Sequence, residues 1–347
     1  MRRTIIIAVL LAGCANTPPQ GDTPYTPTPG MRAILEEYQA LRPQPLPTLP
    51  TDRARMHPTL TDAARAIPNT HGLPAPTVDV PQVTELRAAG ATGPLSARLY
   101  RPTLARNTPV IIAFPGGTWV TPSLDAFDET ARQLSARTGF VVVAIQPRAA
   151  PEAPFPAAHD DARAAYRWAL LHLREWGADP TRVVLAGEGP GATLAMATAQ
   201  FALGEGTRDP AFPPPDHILL ITPQVTTRLD GVSMDDSGRS QPLTRRIVRW
   251  AQDEATADNR DLADPRMNPG AGPLAGLPPT TIVLAQIDPL RSQGEELAVA
   301  LTAARVPTTV RTQPGVTHGF FGLGAALPDA AAAEDWVAAR LRAAFGS

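Results

Sequence analysis

The sequence predicts an α/β protein whose mostly parallel, eight-stranded sheet is covered by helices on both faces. A first observation is a series of short apolar or alternating runs, bounded by turn residues, which are typical of strands. A second is that helical stretches lie between most of the later runs, because strands joined by helices usually pair in parallel. A third is size, since 347 residues with 43% apolar residues can form one large core.

The predicted strands follow one another from about residue 82 onward. The first two lie close together and indicate a hairpin, whereas helices separate most of the others. Residues 226–262 interrupt the alternation with polar sequence, so we expect a cap insertion there. Strands are expected to begin near Val83, Ala97, Val110, Phe140, Val183, Ile218, Thr281 and Thr309, with helices over Phe127–Arg137, Ala157–Trp176, Gly191–Leu203, Arg291–Ala304 and Ala330–Phe345.

The first residues resemble an export signal. Arg2 and Arg3 precede an apolar stretch that is too short to span a bilayer, and Leu11-Ala12-Gly13-Cys14 resembles a bacterial lipobox. The resemblance implies removal of residues 1–13 and lipidation of Cys14, which would anchor the protein in a membrane. A buried or incidental cysteine is the alternative.

The remaining chain divides into a tether, a cap segment and a main domain. Residues 14–30 are rich in Pro and Thr and are predicted to be a tether. Residues 31–80 contain short helical patterns separated by prolines and form a predicted N-terminal cap segment, and residues 81–347 form the main domain. The lipobox implies the bacterial cell envelope, and Ala15 rather than Asp after the cysteine favours the outer membrane in a Gram-negative host.

Composition excludes several classes of partner and chemistry. The net charge of −2 argues against nucleic acid and anionic membrane surfaces. Lysine is absent, which excludes a Schiff-base lysine. Cys14 is the only cysteine, so no intramolecular disulfide can form, and its lipidation would leave no thiol nucleophile. We expect neither a cofactor nor a metal site.

Four segments, in order and spacing, resemble the hormone-sensitive-lipase-like esterases, also known as bacterial family IV carboxylesterases. The resemblance extends from about residue 82 to the C-terminus. It implies an α/β-hydrolase fold with a helical cap, and hydrolysis of short-to-medium carboxylic esters through an acyl-enzyme. The segments are Phe114-Pro115-Gly116-Gly117-Thr118-Trp119, Arg148 to Ala158, Trp176 to Ala192, and Asp288-Pro289-Leu290-Arg291 followed by Gly315 to Phe320.

The third segment has the pattern of a nucleophile elbow, in which a strand, a sharp turn and a helix present a serine between flanking glycines. Gly187 and Gly191 provide the flanking glycines, but Gly189 occupies the central position and offers no nucleophile. Pro190 follows and has no N–H, so an oxyanion donor of the family is also missing. Loss of one such donor typically costs about 100- to 1,000-fold, and loss of a triad nucleophile on the order of a millionfold.

Gly189 and Pro190 both suit an elbow with less backbone strain and greater stability. Glycine accepts the unusual dihedrals of an elbow, and proline suits the first position of a helix. The alternatives are a sequence error or a nucleophile displaced by one turn, for which Thr193 is the nearest hydroxyl. Glu188 replaces a family Asp and is interpreted as structural.

The other site positions retain residues that match the family. The resemblance implies that Asp288 orients His318, in the chain order nucleophile, acid, histidine. An Asp N-cap before Pro289 is the alternative for Asp288. Gly116, Gly117 and Thr118 correspond to the family's oxyanion segment, and the amides of Gly117 and Thr118 are expected to bind an anion or carbonyl.

The leading hypothesis is a membrane-anchored pseudoenzyme that binds a small acyl, ester or lipid-like ligand. One rival is a slow ester hydrolase, in which Asp288 and His318 activate a water molecule. A second rival is a structural envelope lipoprotein with a collapsed pocket, against which a cavity would argue.

Overall fold

The computed structural model describes residues 24–70, 77–205 and 209–346. Its eight strands form one sheet in the order β1-β2-β4-β3-β5-β6-β7-β8. The predicted hairpin pairs β1 with β2 antiparallel, β2 pairs antiparallel with β4, and all the other neighbours are parallel. The strands are β1 (Gln82–Ala89), β2 (Pro94–Arg101), β3 (Thr108–Phe114), β4 (Val141–Gln146), β5 (Ala178–Glu188), β6 (His217–Ile221), β7 (Thr280–Ile287) and β8 (Thr308–Thr317).

The helices match the predicted stretches, with ends that differ by a few residues. The largest difference is α5, which ends at His172 rather than continuing to Trp176, because the next residues form i→i−3 turns, with the Glu175 amide donating to the His172 carbonyl. The α-helices are α1 (Pro29–Ala40), α2 (Thr51–Ala54), α3 (Leu60–Thr70), α4 (Asp128–Thr138), α5 (Ala157–His172), α6 (Pro190–Glu205), α7 (Val232–Asp236), α8 (Arg245–Ala255), α9 (Arg291–Ala303) and α10 (Pro328–Phe345).

Two hydrophobic cores lie on opposite faces of the sheet. In β3, Val110 and Ile112 belong to one core and Ile111 and Ala113 to the other, as expected for a buried parallel strand. The first core contains residues of α5, α6 and α9, and the second contains residues of α1, α3, α4 and α10. The predicted three-layer arrangement is therefore confirmed.

Two segments of the chain cover the carboxyl ends of the strands. Helices α2 and α3, and the loop before them, come from the N-terminal part of the chain. Helices α7 and α8 come from residues 226–262, and Leu243 and Ile247 of this insertion reach the same cavity as Leu60 of α3. The cavity therefore lies between the sheet edge and two separate chain segments.

The N-terminal residues that the structure describes lie against the main domain. The Thr28 amide donates to the Gly315 carbonyl at 2.9 Å, and the Thr28 hydroxyl donates to Asp329 at 2.8 Å. Gly315 has a φ of +62°, and a side chain there would collide with Thr28. Among the described residues no helix has the length and hydropathy needed to cross a bilayer. Cys14 lies outside the described residues.

Candidate active site

The elbow has the predicted strand–turn–helix geometry. Strand β5 ends at Glu188, α6 begins at Pro190, and Gly189 between them has a φ of +51°. A Cβ at Gly187 would lie 2.1 Å from the Gly191 carbonyl oxygen, and a Cβ at Gly191 would lie 2.2 Å from that of Phe114. These two glycines are required because the backbones of the elbow and of β3 approach so closely.

No side chain projects from the apex of this turn. A Cβ built on Gly189 would lie 3.8 Å from Nε2 and Cε1 of His318, with no other described atom among its nearest neighbours within 4 Å. Thr193, the alternative nucleophile, is buried and its hydroxyl donates to the Gln224 carbonyl at 2.6 Å. The structure therefore places His318 opposite Gly189 and gives Thr193 a role within the fold.

His318 and Asp288 form a hydrogen-bonded pair. His318 Nδ1 lies 2.8 Å from Asp288 Oδ2, and the Asp288 side chain is buried. Burial lowers the pKa of His318, but the charge and hydrogen bond of Asp288, with the charge of Glu188, raise it more, so the net direction is upward. Nδ1–H is thus held by Asp288, and Nε2 faces the elbow.

Asp288 contacts both its own turn and His318, but it is not the N-cap of α9, a position that Leu290 occupies without a side-chain cap. Oδ1 of Asp288 accepts the Leu290 amide at 2.8 Å, which stabilises the turn between β7 and α9, while its Oδ2 contacts His318. The carboxylate is therefore fixed by a local turn before it meets the histidine.

A buried glutamate holds the loop that follows His318. Glu334 on α10 accepts the amides of Gly322 and Gly324, each at 3.0 Å, and lies 3.1 Å from Arg137. On the other side, the Thr130 hydroxyl donates to the Phe321 carbonyl at 3.2 Å. These contacts connect the histidine loop to α4 and α10.

The predicted oxyanion segment lines the cavity with unusual backbone geometry. Gly117, Thr118 and Trp119 all have positive φ values, of 115°, 56° and 64°. The amide and hydroxyl of Thr121 both donate to the Gly117 carbonyl, which holds this turn. Within the described part of the chain, the amides of Gly117 and Thr118 donate to no other residue, so they remain available as donors.

Glu188 lies in the same cavity beside His318. Burial raises the pKa of Glu188 to about 7. The positive charge of His318 lowers this pKa and the negative charge of Asp288 raises it, but burial is the largest effect. The Glu188 carboxyl makes no hydrogen bond to another described side chain or amide. The side chain also packs against Gly116, whose Cβ would lie 3.2 Å from Glu188 Cγ. A purely structural role does not explain a carboxyl without such a partner.

The cavity has a volume of about 460 Å³, in the range of small-molecule sites. It brings together Gly116, Gly117, Thr118, Glu188 and His318. Sequence reasoning missed Glu188 as a cavity residue and missed the contribution of α2 and α3, which carry no recognisable motif. The remaining lining includes apolar and polar side chains of both covering segments, among them Leu46, Arg55, His57, Asp62, Arg65, Leu243 and Ile247. Among the described residues no cluster of metal-ligating side chains is present.

The fold, the elbow and the Asp288–His318 pair together define an esterase-like α/β hydrolase. Residues 111–322 match the family model Abhydrolase_3, described as an alpha/beta hydrolase fold. The chain belongs to this family.

Relatives with assigned activities show the same likeness. The chain is 37% identical to the carboxylic ester hydrolase LipN of Mycobacterium tuberculosis over 254 residues, which cover 72% of this chain and 67% of LipN. It is 30% identical over 240 residues to the ethyl acetate hydrolase of Pseudomonas putida, covering 68% and 74% of the two chains. The solved hyperthermophilic esterase of Pyrobaculum calidifontis superposes with a TM-score of 0.82 at 27% identity, covering 93% of this chain and 100% of that one.

Proposed function

We propose that this protein is a non-hydrolytic member of its family that binds a small acyl, ester or lipid-like ligand. The observation that carries the proposal is Gly189, which occupies the apex of the elbow and faces His318 without a side chain. Pro190 adds a second defect, because the position after the apex has no N–H to donate. The rest of the pocket is intact, so binding remains chemically reasonable where acyl transfer does not.

The test is to treat the purified full chain with a fluorophosphonate probe and with a series of model esters. We expect no covalent labelling and no turnover that depends on a hydroxyl nucleophile. A related active esterase, treated in parallel, shows that the probe and substrates are competent. Stoichiometric labelling of any hydroxyl would overturn the proposal, and the labelled peptide would identify the nucleophile.

A second candidate function is slow ester hydrolysis by activated water. It is favoured by one observation, the 2.8 Å contact between Asp288 and His318, which leaves Nε2 directed at an apex without a side chain. There a water molecule could lose its proton to His318 as it attacks an ester. Turnover that is lost in His318→Ala, without probe labelling, would support this function over pure binding.

The cavity argues against a purely structural lipoprotein, because a collapsed pocket would not leave about 460 Å³ of space. We also propose that lipid at Cys14 anchors the protein in the cell envelope, on the basis of the lipobox and the segment behind it. Its partners would then be a small ligand and a membrane, without nucleic acid.

A further inference from the structure

Two backbone amides and one ring nitrogen of the cavity lining have no acceptor among the described residues. The amides are those of Gly117 and Thr118, and both residues line the cavity. The ring nitrogen is His318 Nε2, which lies 3.8 Å from the position of a Cβ on Gly189. Since residue 189 has no side chain, this space is open to an oxygen atom that a ligand supplies.

We propose that the cavity is a receptor site for a small carboxylic acid, bound as its carboxylate. One carboxylate oxygen would accept from the amides of Gly117 and Thr118, and the other from protonated His318 Nε2. This inference rests on the proposed function, because it takes the site as non-hydrolytic and specifies the chemical class of its ligand.

A carboxylate fits these donors better than a neutral ester does. Asp288 accepts from Nδ1, so Nε2 donates only when the ring carries both protons. The pKa of His318 is raised above its ordinary value despite its burial, which favours that doubly protonated form. Hydrogen bonds between charged groups are stronger than those between neutral ones, and two carboxylate oxygens match two separated donor groups.

The other charged side chains of the cavity already have protein partners. Among the charged side chains and histidines of the described lining, only Glu188 and His318 lack such a partner outside the site, so His318 is the cation that remains for a bound anion. Arg55 contacts Glu152, Arg65 contacts Glu129, Asp62 accepts from Thr59, Asp125 accepts from Arg98, and both ring nitrogens of His57 lie near the carbonyl oxygens of Gln44 and Pro58.

The cavity also has apolar walls. Its lining includes Phe127, which precedes α4, Leu243 and Ile247 of the insertion, and Phe321 of the histidine loop. An acid with a short hydrocarbon body would bury that body here, while its carboxylate remains at the elbow. This favours an amphipathic acid over a free inorganic anion.

Binding should be linked to uptake of a proton. Burial already raises the pKa of Glu188 to about 7. A bound carboxylate would add negative charge, which raises the pKa of both Glu188 and His318 further. The complex therefore holds more protons than the free site, and affinity should fall as the pH rises above about 7.

The experiment is calorimetry on the full chain with hexanoate, its neutral analogue hexanamide, and methyl hexanoate. Measurements at about pH 6 and about pH 8.5, in buffers of different ionisation enthalpy, count the protons taken up. We expect hexanoate to bind about 10- to 100-fold more tightly than hexanamide at the lower pH, where Glu188 is mostly protonated before binding. Uptake of a fraction of a proton, up to about one, is expected at the higher pH, where Glu188 is mostly ionised in the free site. His318→Gln should remove this preference, and His172→Gln on α5, whose residue does not line the cavity, should retain it.

The possible outcomes separate this inference from the proposed function. Equal affinity for hexanoate and hexanamide, or the absence of proton uptake by the wild-type protein, would overturn the carboxylate assignment without relying on any variant. If methyl hexanoate bound and hexanoate did not, the carboxylate assignment would also be overturned, while the proposed binding function would stand. Fluorophosphonate labelling would contradict the non-hydrolytic function whatever the result with hexanoate. Failure of all three compounds to bind would contradict both.

Discussion

Gly189 has a φ of +51°, which lies in a region of backbone conformation that residues other than glycine rarely adopt without strain. Pro190 follows as the first residue of α6, where its missing N–H breaks no helical hydrogen bond. Both residues therefore favour stability of the turn, and under the proposed function both also remove a group that acyl transfer requires. These two effects are inseparable, because the strain and the chemistry of an elbow arise at the same two positions.

Restoring ester hydrolysis should require changes at both positions. Gly189→Ser supplies a hydroxyl within reach of His318, since its Cβ would lie 3.8 Å from Nε2. The amides of Gly117 and Thr118 remain, but the donor after the nucleophile is still missing. We expect Gly189→Ser/Pro190→Ala to hydrolyse esters about 100-fold faster than Gly189→Ser, and Pro190→Ala alone to gain nothing.

The same set of variants should show a loss of stability. We expect the double variant to unfold with a free energy lower by about 1–3 kcal/mol, because a strained serine returns and a rigid residue leaves the helix. Rate constants and denaturant unfolding of the four proteins provide the measurement. Equal rates for the single and double variants would show that Pro190 does not weaken the oxyanion site.

At the scale of elements, the short helix α2 is connected to the loops around the cavity by one side chain. Arg55 donates from Nε to the Val120 carbonyl and from Nη2 to the Ala150 carbonyl, each at 3.0 Å. It also forms a paired contact with Glu152, at 2.9 and 2.5 Å. One arginine thus holds the N-terminal covering segment against two loops of the main domain.

Replacing Arg55 by Met should loosen this segment more than it destabilises the whole domain. The Val120 and Ala150 carbonyls would lose a donor, so we expect faster amide hydrogen exchange over residues 46–66. The loss in unfolding free energy should be on the order of 1–2 kcal/mol.

Glu152→Gln is the matched control. The Glu152 side chain is 61% exposed, and exposed ion pairs contribute little, so its effect should remain below about 0.5 kcal/mol. Hydrogen exchange measured by mass spectrometry compares the two variants with the wild type. Unchanged exchange in Arg55→Met would show that other contacts hold the segment.

At the scale of the whole molecule, buried Glu334 and buried His217 have opposite effects on stability as the pH changes. Burial raises the pKa of Glu334 from 4.5 to about 7, so the folded protein holds its proton more tightly than the unfolded chain. Stability from this group falls as the pH rises between these values. Burial lowers the pKa of His217 from 6.5 to about 4, so stability from that group rises with pH across that window.

Two single substitutions should reveal these opposite slopes. As the pH rises from about 4.5 to about 7, the unfolding free energy of the wild type should fall relative to Glu334→Gln, and rise relative to His217→Gln. Each difference should change by on the order of 2–3 kcal/mol, from about 1.4 kcal/mol per pKa unit. Urea unfolding at a series of pH values is the measurement. Slopes of the same sign for both variants would contradict the assignment.

The remaining prediction concerns attachment of the molecule to a membrane. We expect the mature protein from its native host to begin at Cys14, to carry acyl chains there, and to partition into detergent. Cys14→Ser should release it into the aqueous phase, since Leu11-Ala12-Gly13-Cys14 would no longer be processed. Intact-mass spectrometry of the native protein checks this, and an unmodified Cys14 or a retained Met1 would contradict it.

The sequence alone determined the sheet, the elbow and the order of the site residues. Local sequence patterns, namely apolar periodicity and turn residues, predict the strands and helices of the main domain. These patterns can be recognised without knowledge of the fold. The residues Gly187, Gly189, Pro190 and Gly191 likewise indicate an elbow without a nucleophile, because their constraints are local backbone constraints.

Only the tertiary structure decided which other groups share the cavity. Glu188 was interpreted as structural, yet its carboxyl lies near His318, which is 130 residues further along the chain. Arg55 meets the carbonyls of Val120 and Ala150, and the Thr28 backbone lies on Gly315, through contacts that no local pattern records. Such contacts depend on how distant segments pack, so they are properties of the folded chain rather than of any stretch of sequence.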